Sequence, residues 1–349
     1  MTVRVLHLVG SAVSEFYVEL SCLYARDCLE ATADPQRYDF VIAYVTPDRC
    51  WRFPPDLDPA SIAAAAPVPI AAALAHIATL GVDVVVPQMF CLEGMTAYRA
   101  LFDVLAIPYV GNSATVMGIG ADKALARAVV SAAGVDVPAG QVVRAGEPVD
   151  VVPPAVVKPV DADNSLGVTL VGTRAGYDDA LRAAFEHSDR VLVEDYVELG
   201  REVRCAVLEL GGRLVCLPLE EYRVDTATKP IRPYDDKIAR VDAGAGDGAL
   251  RLLAKNSPRS WIVDPADPIT AAVWAAARSC HRALGCRDYS LFDFRIDPAG
   301  RPWFLEAGLY CSFARQSVVA VMAQASGRDL PTLFADMVVQ ACARRAVGR

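Results

Sequence analysis

No cysteine in this chain has a partner at CxxC spacing. All ten (Cys22, Cys28, Cys50, Cys91, Cys205, Cys216, Cys280, Cys286, Cys311 and Cys342) are scattered, which fits the reduced, mostly buried thiols of a cytosolic protein. The four histidines (His7, His76, His187 and His281) show no zinc-ligand spacing and read as core or surface residues. Positive charge is in deficit, with 34 Lys and Arg against 42 Asp and Glu and a net charge of −8. That balance excludes a nucleic-acid surface, which needs clustered cations. No uninterrupted apolar run reaches bilayer length, and Val3–Gly10 lacks the charged n-region, apolar h-region and cleavage site of a signal peptide. A cytoplasmic location without membrane partners is expected. No GxxxxGK[ST] stretch occurs, so a Walker-type phosphate loop is absent. There are no internal repeats and no low-complexity tract beyond alanine-rich helices.

What is present is a chain of 349 residues, 54% hydrophobic and 22% charged, enough for two or three globular domains. Strand-like runs at Val3–Val9, Phe40–Val45, Val82–Pro87 and Ile107–Val110 alternate with helical stretches at Tyr17–Thr32, Ile70–Leu80 and Met95–Leu105. Such alternation specifies an α/β fold with a parallel sheet covered by helices. A helix from Asp122 to Ala133 and a Pro-rich linker at 144–154 come next. Strands at Ala155–Lys158, Val168–Val171 and Arg190–Glu194, with a helix at Ala175–His187, make a small α+β unit. Strands at Val203–Leu210 and Arg213–Leu219 read as a hairpin through Gly211-Gly212. The expected division is 1–120, 121–200 and 201–349, α/β in the first part and α+β in the others. The polar stretch 226–248 has the length and composition of a lid.

Two acidic residues mark the chemistry. In Asp293-Phe-Arg-Ile-Asp-Pro-Ala-Gly300-Arg-Pro-Trp-Phe-Leu-Glu306, two hydrophobic runs flank a Pro-Gly turn, so a hairpin returns Asp293 and Glu306 to adjacent strands. Paired carboxylates suit Mg²⁺ shared with substrate phosphates, with Mn²⁺ as a possible substitute. Lys158 ends a strand, and Asp163-Asn-Ser-Leu-Gly167 offers Asn164, Ser165 and a backbone that phosphate oxygens can approach. Glu194 ends the strand Val191–Glu194; the Tyr196 and Val197 backbone after it can read an adenine edge, and Glu202 can accept from ribose hydroxyls. Lys237, inside the lid stretch, would stabilise charge on a transferring phosphoryl group. Each residue alone also fits a solvated surface group.

Together these pieces resemble the ATP-grasp superfamily, and within it the D-alanine–D-alanine ligases. The matching segments are Gly120-Ala-Asp-Lys123, Val156–Pro159 with Ser165–Gly167, Val193–Val197 with Arg201-Glu202, Tyr234–Lys237, Leu284-Gly-Cys286, Asp293–Glu306 and Arg315-Gln-Ser317. The resemblance implies a three-domain ATP-grasp architecture using ATP and Mg²⁺. It implies that Lys123 and Lys158 contact phosphates, Glu194 and Glu202 hold adenine and ribose, and Asp293 and Glu306 bind the metal.

Two departures bear on the acceptor. The family's metal-binding Asn two residues after the Glu is Gly308 here, and the arginine two residues before the metal Asp is Leu291. The stretches Leu6–Ala12, Pro87–Cys91, Gly200–Cys205 and Leu305–Ser317 are similar to the ligases that join an amino acid to mycosporine-glycine. That resemblance implies phosphorylation of a ring carbonyl oxygen and condensation with serine or threonine to an imine, with Arg295, Arg315 and Ser317 near the substrates. Arg295 and Arg315 are equally readable as structural ion-pair residues. A D-alanine–D-alanine-type dipeptide ligase working through an acyl-phosphate is the alternative, and a non-catalytic ATP-binding protein a second. A homodimer is a further possibility.

Overall fold

A computed structural model describes residues 2–162, 165–225, 238–241, 249–252 and 259–347. Its N-terminal sheet has the strand order Trp51–Arg52, Tyr38–Val45, Val3–Gly10, Val84–Pro87. Val3–Gly10 pairs in parallel with both neighbours, as helix-linked strands must. Helix Glu15–Thr32 packs on this sheet. The expected strand at Ile107–Val110 is reduced to a single parallel bridge between Val85 and Tyr109. The helix expected over Met95–Leu105 breaks at Thr96 into Leu92–Met95 and Ala97–Val104.

The second sheet is antiparallel, ordered Gly140–Val143, Val191–Asp195, Ala155–Pro159, Thr169–Val171, with helix Tyr177–Phe185 against it. Its core is its own: Val143, Val157, Val171, Tyr177, Ala184 and Val193 form one buried cluster. The third sheet is also antiparallel and runs Ser260–Ile262, Glu220–Tyr222, Arg201–Leu210, Tyr289–Ile296, Pro302–Gly308, with Arg213–Cys216 paired to Arg201–Leu210. The hairpin expected at Gly211-Gly212 is present, both glycines at positive φ (+57° and +76°), the geometry of a two-residue turn matched to strand twist. The strand expected to run to Leu219 ends at Cys216, and a separate strand begins at Glu220.

The first and third sheets share a core. Val5, Val84 and Val86 meet Ala206, Leu208, Tyr289 and Phe313, with Phe334 and Met337 of helix Leu330–Val347 closing it. Every residue of Tyr289–Ile296 is buried, so this strand is fixed from both faces. The expected lid lies largely outside the described residues; its Ile238–Val241 pairs antiparallel with Ala249–Leu252, just past the lid's expected end. Among the described residues no helix is long and apolar enough to cross a membrane.

Candidate active site

The hairpin of Tyr289–Ile296 and Pro302–Gly308 turns through Asp297–Gly300, where an Asp297 carboxylate oxygen accepts the Arg301 N–H at 2.9 Å. The register places Asp293 directly opposite Glu306, with a bulge just after Asp293. Bulges re-aim side chains at functional sites. On its other side Asp293 faces Arg204 of strand Arg201–Leu210, whose Nε donates to Asp293 Oδ1 at 2.6 Å. Burial alone would depress the Arg204 guanidinium, but Asp293, with Tyr222 and Glu220, holds it well above its ordinary range. Arg204 has no role in the expectations drawn from sequence, because its contact with Asp293 exists only once the register is known.

Across the cleft, Lys158 at the end of Ala155–Pro159 is buried and meets Glu194 Oε2 at 2.5 Å. Glu194 also lies 3.2 Å from Arg127 Nε. Lys123 opens the helix Lys123–Ala132, capped by Asp122, whose carboxylate accepts the Leu125 N–H at 2.8 Å and pairs with Arg190 at 2.6 Å. Its Nζ donates to the Ala162 carbonyl, tying it to the loop after Lys158. In that loop Ser165 has φ +63° and Gly167 φ +66°. A Cβ on Gly167 would come within 2.9 Å of His187 and Pro159, so only glycine lets this loop close on its neighbours. Asp163 and Asn164 are outside the described residues, as is Lys237.

The Tyr196 N–H donates to the Pro154 carbonyl at 3.0 Å, and the Val197 carbonyl accepts from Arg295 at 3.3 Å. The Val197 N–H takes no protein partner among the described residues, which fits a donor kept for a base edge. Glu202 and Arg295 are opposite one another in register and form a buried pair at 2.9 Å. The Arg295 guanidinium lies 5.2 Å from the centroid of the Tyr196 ring.

A cleft between the second and third sheets gathers these groups. Lys123, Lys158 and Ser165 line it from one side, and Glu202, Asp293 and Glu306 from the other. Glu194, Val197 and Arg295 also border it, and Pro138, Val156, Val168 and Leu305 supply apolar walls. Apolar walls with few convergent polar groups suit a flat base. Two carboxylates opposite two lysines fit a cation carried in by phosphates; among the described residues no cluster of three or more His, Cys, Asp or Glu forms a self-sufficient metal site.

Three expected residues stand outside this cleft lining: Tyr196, whose N–H is taken by the Pro154 carbonyl, and Arg315 and Ser317. Arg315 pairs with Asp27 at 2.5 Å and Glu30 at 3.1 Å on the first helix. Ser317 caps helix Val318–Ala325, its hydroxyl accepting the Ala320 N–H at 3.3 Å. Arg295 lines the cleft but spends its guanidinium on Glu202 and Val197. The ion-pair reading of both arginines is the one these contacts support.

An antiparallel sheet pair that closes on paired lysines and paired carboxylates defines the ATP-grasp class. The family model described as "D-ala D-ala ligase C-terminus" matches residues 143–339. A D-alanine–D-alanine ligase of Gloeobacter violaceus is 30% identical over 244 residues, covering 68% of this chain and 74% of that protein. One from Mycobacterium sp. strain KMS is 29% identical and covers 98% of this chain and 96% of its own. The solved D-alanine–D-alanine ligase of Coxiella burnetii shares the fold with a TM-score of 0.76 at 19% identity, covering 99% of this chain and 96% of that one. The chain belongs to the D-alanine–D-alanine ligase family. It is an ATP-dependent, ADP-forming ligase of carbon–nitrogen bonds that uses ATP and Mg²⁺.

Proposed function

We propose that the chain moves the γ-phosphoryl group of ATP onto an acceptor oxygen, and that an amine then displaces phosphate. Lys123, Lys158 and Ser165 hold the phosphates, while Glu194, Tyr196 and the Val197 N–H receive the base and Glu202 the ribose. Asp293 and Glu306 would hold Mg²⁺, which would supply charge neutralisation at the phosphates. Lys158 and Glu194 form a buried pair, so neither charge is left uncompensated in the cleft. Lys237 belongs to the proposed lid. The chemistry asked of the protein is positioning and charge neutralisation. We assign Arg295 and Arg315 to ion pairs and Ser317 to a helix cap, and give them no substrate role.

For the acceptor, one observation carries the reading. Leu291 and Gly308 face each other in register, so where the family has an arginine and an asparagine this chain has an apolar pair. A Cβ on Gly308 would meet only Leu291 atoms at 3.7 Å or more, so packing does not forbid a side chain there. A site that forms no carboxyl-derived oxyanion does not need that arginine. This supports the ring carbonyl of mycosporine-glycine as acceptor and serine or threonine as amine, giving an imine. The named relatives weigh the other way, toward dipeptide synthesis through an acyl-phosphate, and give that second reading the more direct support. ADP release with Mg²⁺-ATP and an amino-acid panel, with mycosporine-glycine or D-alanine as co-substrate, decides between them. Turnover only with mycosporine-glycine, with a red-shifted ultraviolet product, would establish the imine ligase; turnover with D-alanine alone would establish the dipeptide ligase.

A further inference from the structure

Four strands of the third sheet bring charged residues to one level. Glu220 is opposite Arg204, Arg204 opposite Asp293, and Asp293 opposite Glu306. Directly paired residues project to the same face. Asp293 and Glu306 already have a place in the site; Arg204 and Glu220 do not. Beyond its bond to Asp293, the Arg204 guanidinium takes no other hydrogen bond among the described residues, and the side chain is 13% exposed. Its guanidinium lies 5.1 Å from the centroid of the Tyr222 ring. Tyr222 Oη donates to Glu220 Oε2 at 2.5 Å, and Glu220 Oε1 has no hydrogen-bond partner among the described residues.

Desolvating a guanidinium is expensive, and holding Asp293 in place needs only a neutral donor. A permanently charged planar fork with open Nη atoms, bonded through Nε to a metal-binding carboxylate, suits an anion that arrives with the metal. One level further along the same face, Leu291 stands opposite Ala206 and Gly308, a level without charge.

We propose that Arg204 is a further catalytic residue whose Nη atoms bind an oxygen of the γ-phosphoryl group in transit. This rests on the ATP-dependent ligase reading and not on the choice of acceptor. In the step it serves, the acceptor oxygen bonds to the γ-phosphorus while the bond from that phosphorus to the β–γ bridging oxygen breaks, and ADP leaves with the electron pair. Arg204 exchanges no proton; it neutralises charge on the phosphoryl oxygens. Glu220 and Tyr222 are positioning residues that fix the plane of the guanidinium.

Nucleotide binding to Arg204→Gln tests this by calorimetry, using the Mg²⁺ complexes of ADP and of the imido analogue of ATP. ADP lacks the γ group. The analogue should bind about tenfold more weakly than to wild type, the value of charge-assisted hydrogen bonds to one anion, while ADP stays within threefold. Turnover should fall roughly 100-fold or more. Equal weakening of both nucleotides would mean Arg204 acts only through Asp293 on the metal, and no weakening would mean it does not reach the phosphoryl group; either overturns the proposal. If the Gln variant fails to fold, Arg204→Lys decides: a selective loss for the analogue supports the role, and unchanged binding of both overturns it. Absence of nucleotide binding by the wild type would instead overturn the ligase reading itself.

Discussion

At the scale of single residues, Asp293 decides most. It faces Glu306 on one strand and Arg204 on the other, so it joins the proposed metal site to a buried cation. Asp293→Asn keeps the shape and one acceptor for Arg204 but removes the charge that draws a hard cation. Turnover is expected to fall roughly 100-fold or more, with an unchanged far-ultraviolet circular dichroism spectrum. Near-normal turnover of this variant would remove Asp293 from the metal site. The importance of Asp293 is readable in sequence because it ends a hydrophobic run before a Pro-Gly turn, a local signal. Arg204 lies mid-strand, 89 residues away in the chain. Nothing local marks it, and only the pairing of non-sequential strands shows what it touches.

At the scale of elements, the same distinction explains which expectations held. Strands at Val3–Gly10, Tyr38–Val45, Ala155–Pro159 and Val191–Asp195 stand close to their expected bounds, since each is an apolar run with clear ends. Helix Ala114–Ala121 carries two glycines and has no one-sided apolar stripe, so periodicity does not reveal it. Glu202 and Arg295 attract attention separately, as a ribose acceptor and a substrate arginine; their opposition across two strands makes them partners. Ser317 is the clearest case of a motif residue whose local duty differs from the one expected. It precedes the apolar run Val318–Ala325 and its hydroxyl satisfies the Ala320 N–H. Ser317→Ala should cost about 1 kcal/mol of stability, the usual value of an N-cap, and leave kcat within about twofold. Urea unfolding and steady-state turnover on one preparation check both. A kcat loss like that of Asp293→Asn would return Ser317 to the chemistry.

At the scale of the whole molecule, the joint between the first and third sheets depends on a neutral histidine. His7 lies fully buried in the first strand, its Nδ1 paired with Gln88 Oε1 at 2.9 Å, and Gln88 Nε2 donates to the Ser312 carbonyl at 2.9 Å. Phe40 meets the ring edge-on and Phe334 stacks on it, so the contact spans the core shared by the two sheets. His7 Nε2 has no partner among the described residues, and neither has Nε2 of buried His281. A proton on either would be buried without an acceptor. Burial accordingly lowers His7 to about 4, the Gln88 bond opposing it only in part. Burial, helped by Arg282 and opposed by Asp288, lowers His281 to about 4. The unfolded chain takes up these protons near pH 6.5, before the folded protein does. Stability is therefore complete above that value and is lost as pH falls toward 4, at up to about 1.4 kcal/mol per pH unit for each histidine. Urea unfolding at pH 7.5 and 5.5 should differ by roughly 2–3 kcal/mol. His7→Gln should remove about half of that difference, whatever its own effect on stability. Equal stability at the two pH values would show that neither histidine is held neutral, and that the joint between the sheets does not depend on it.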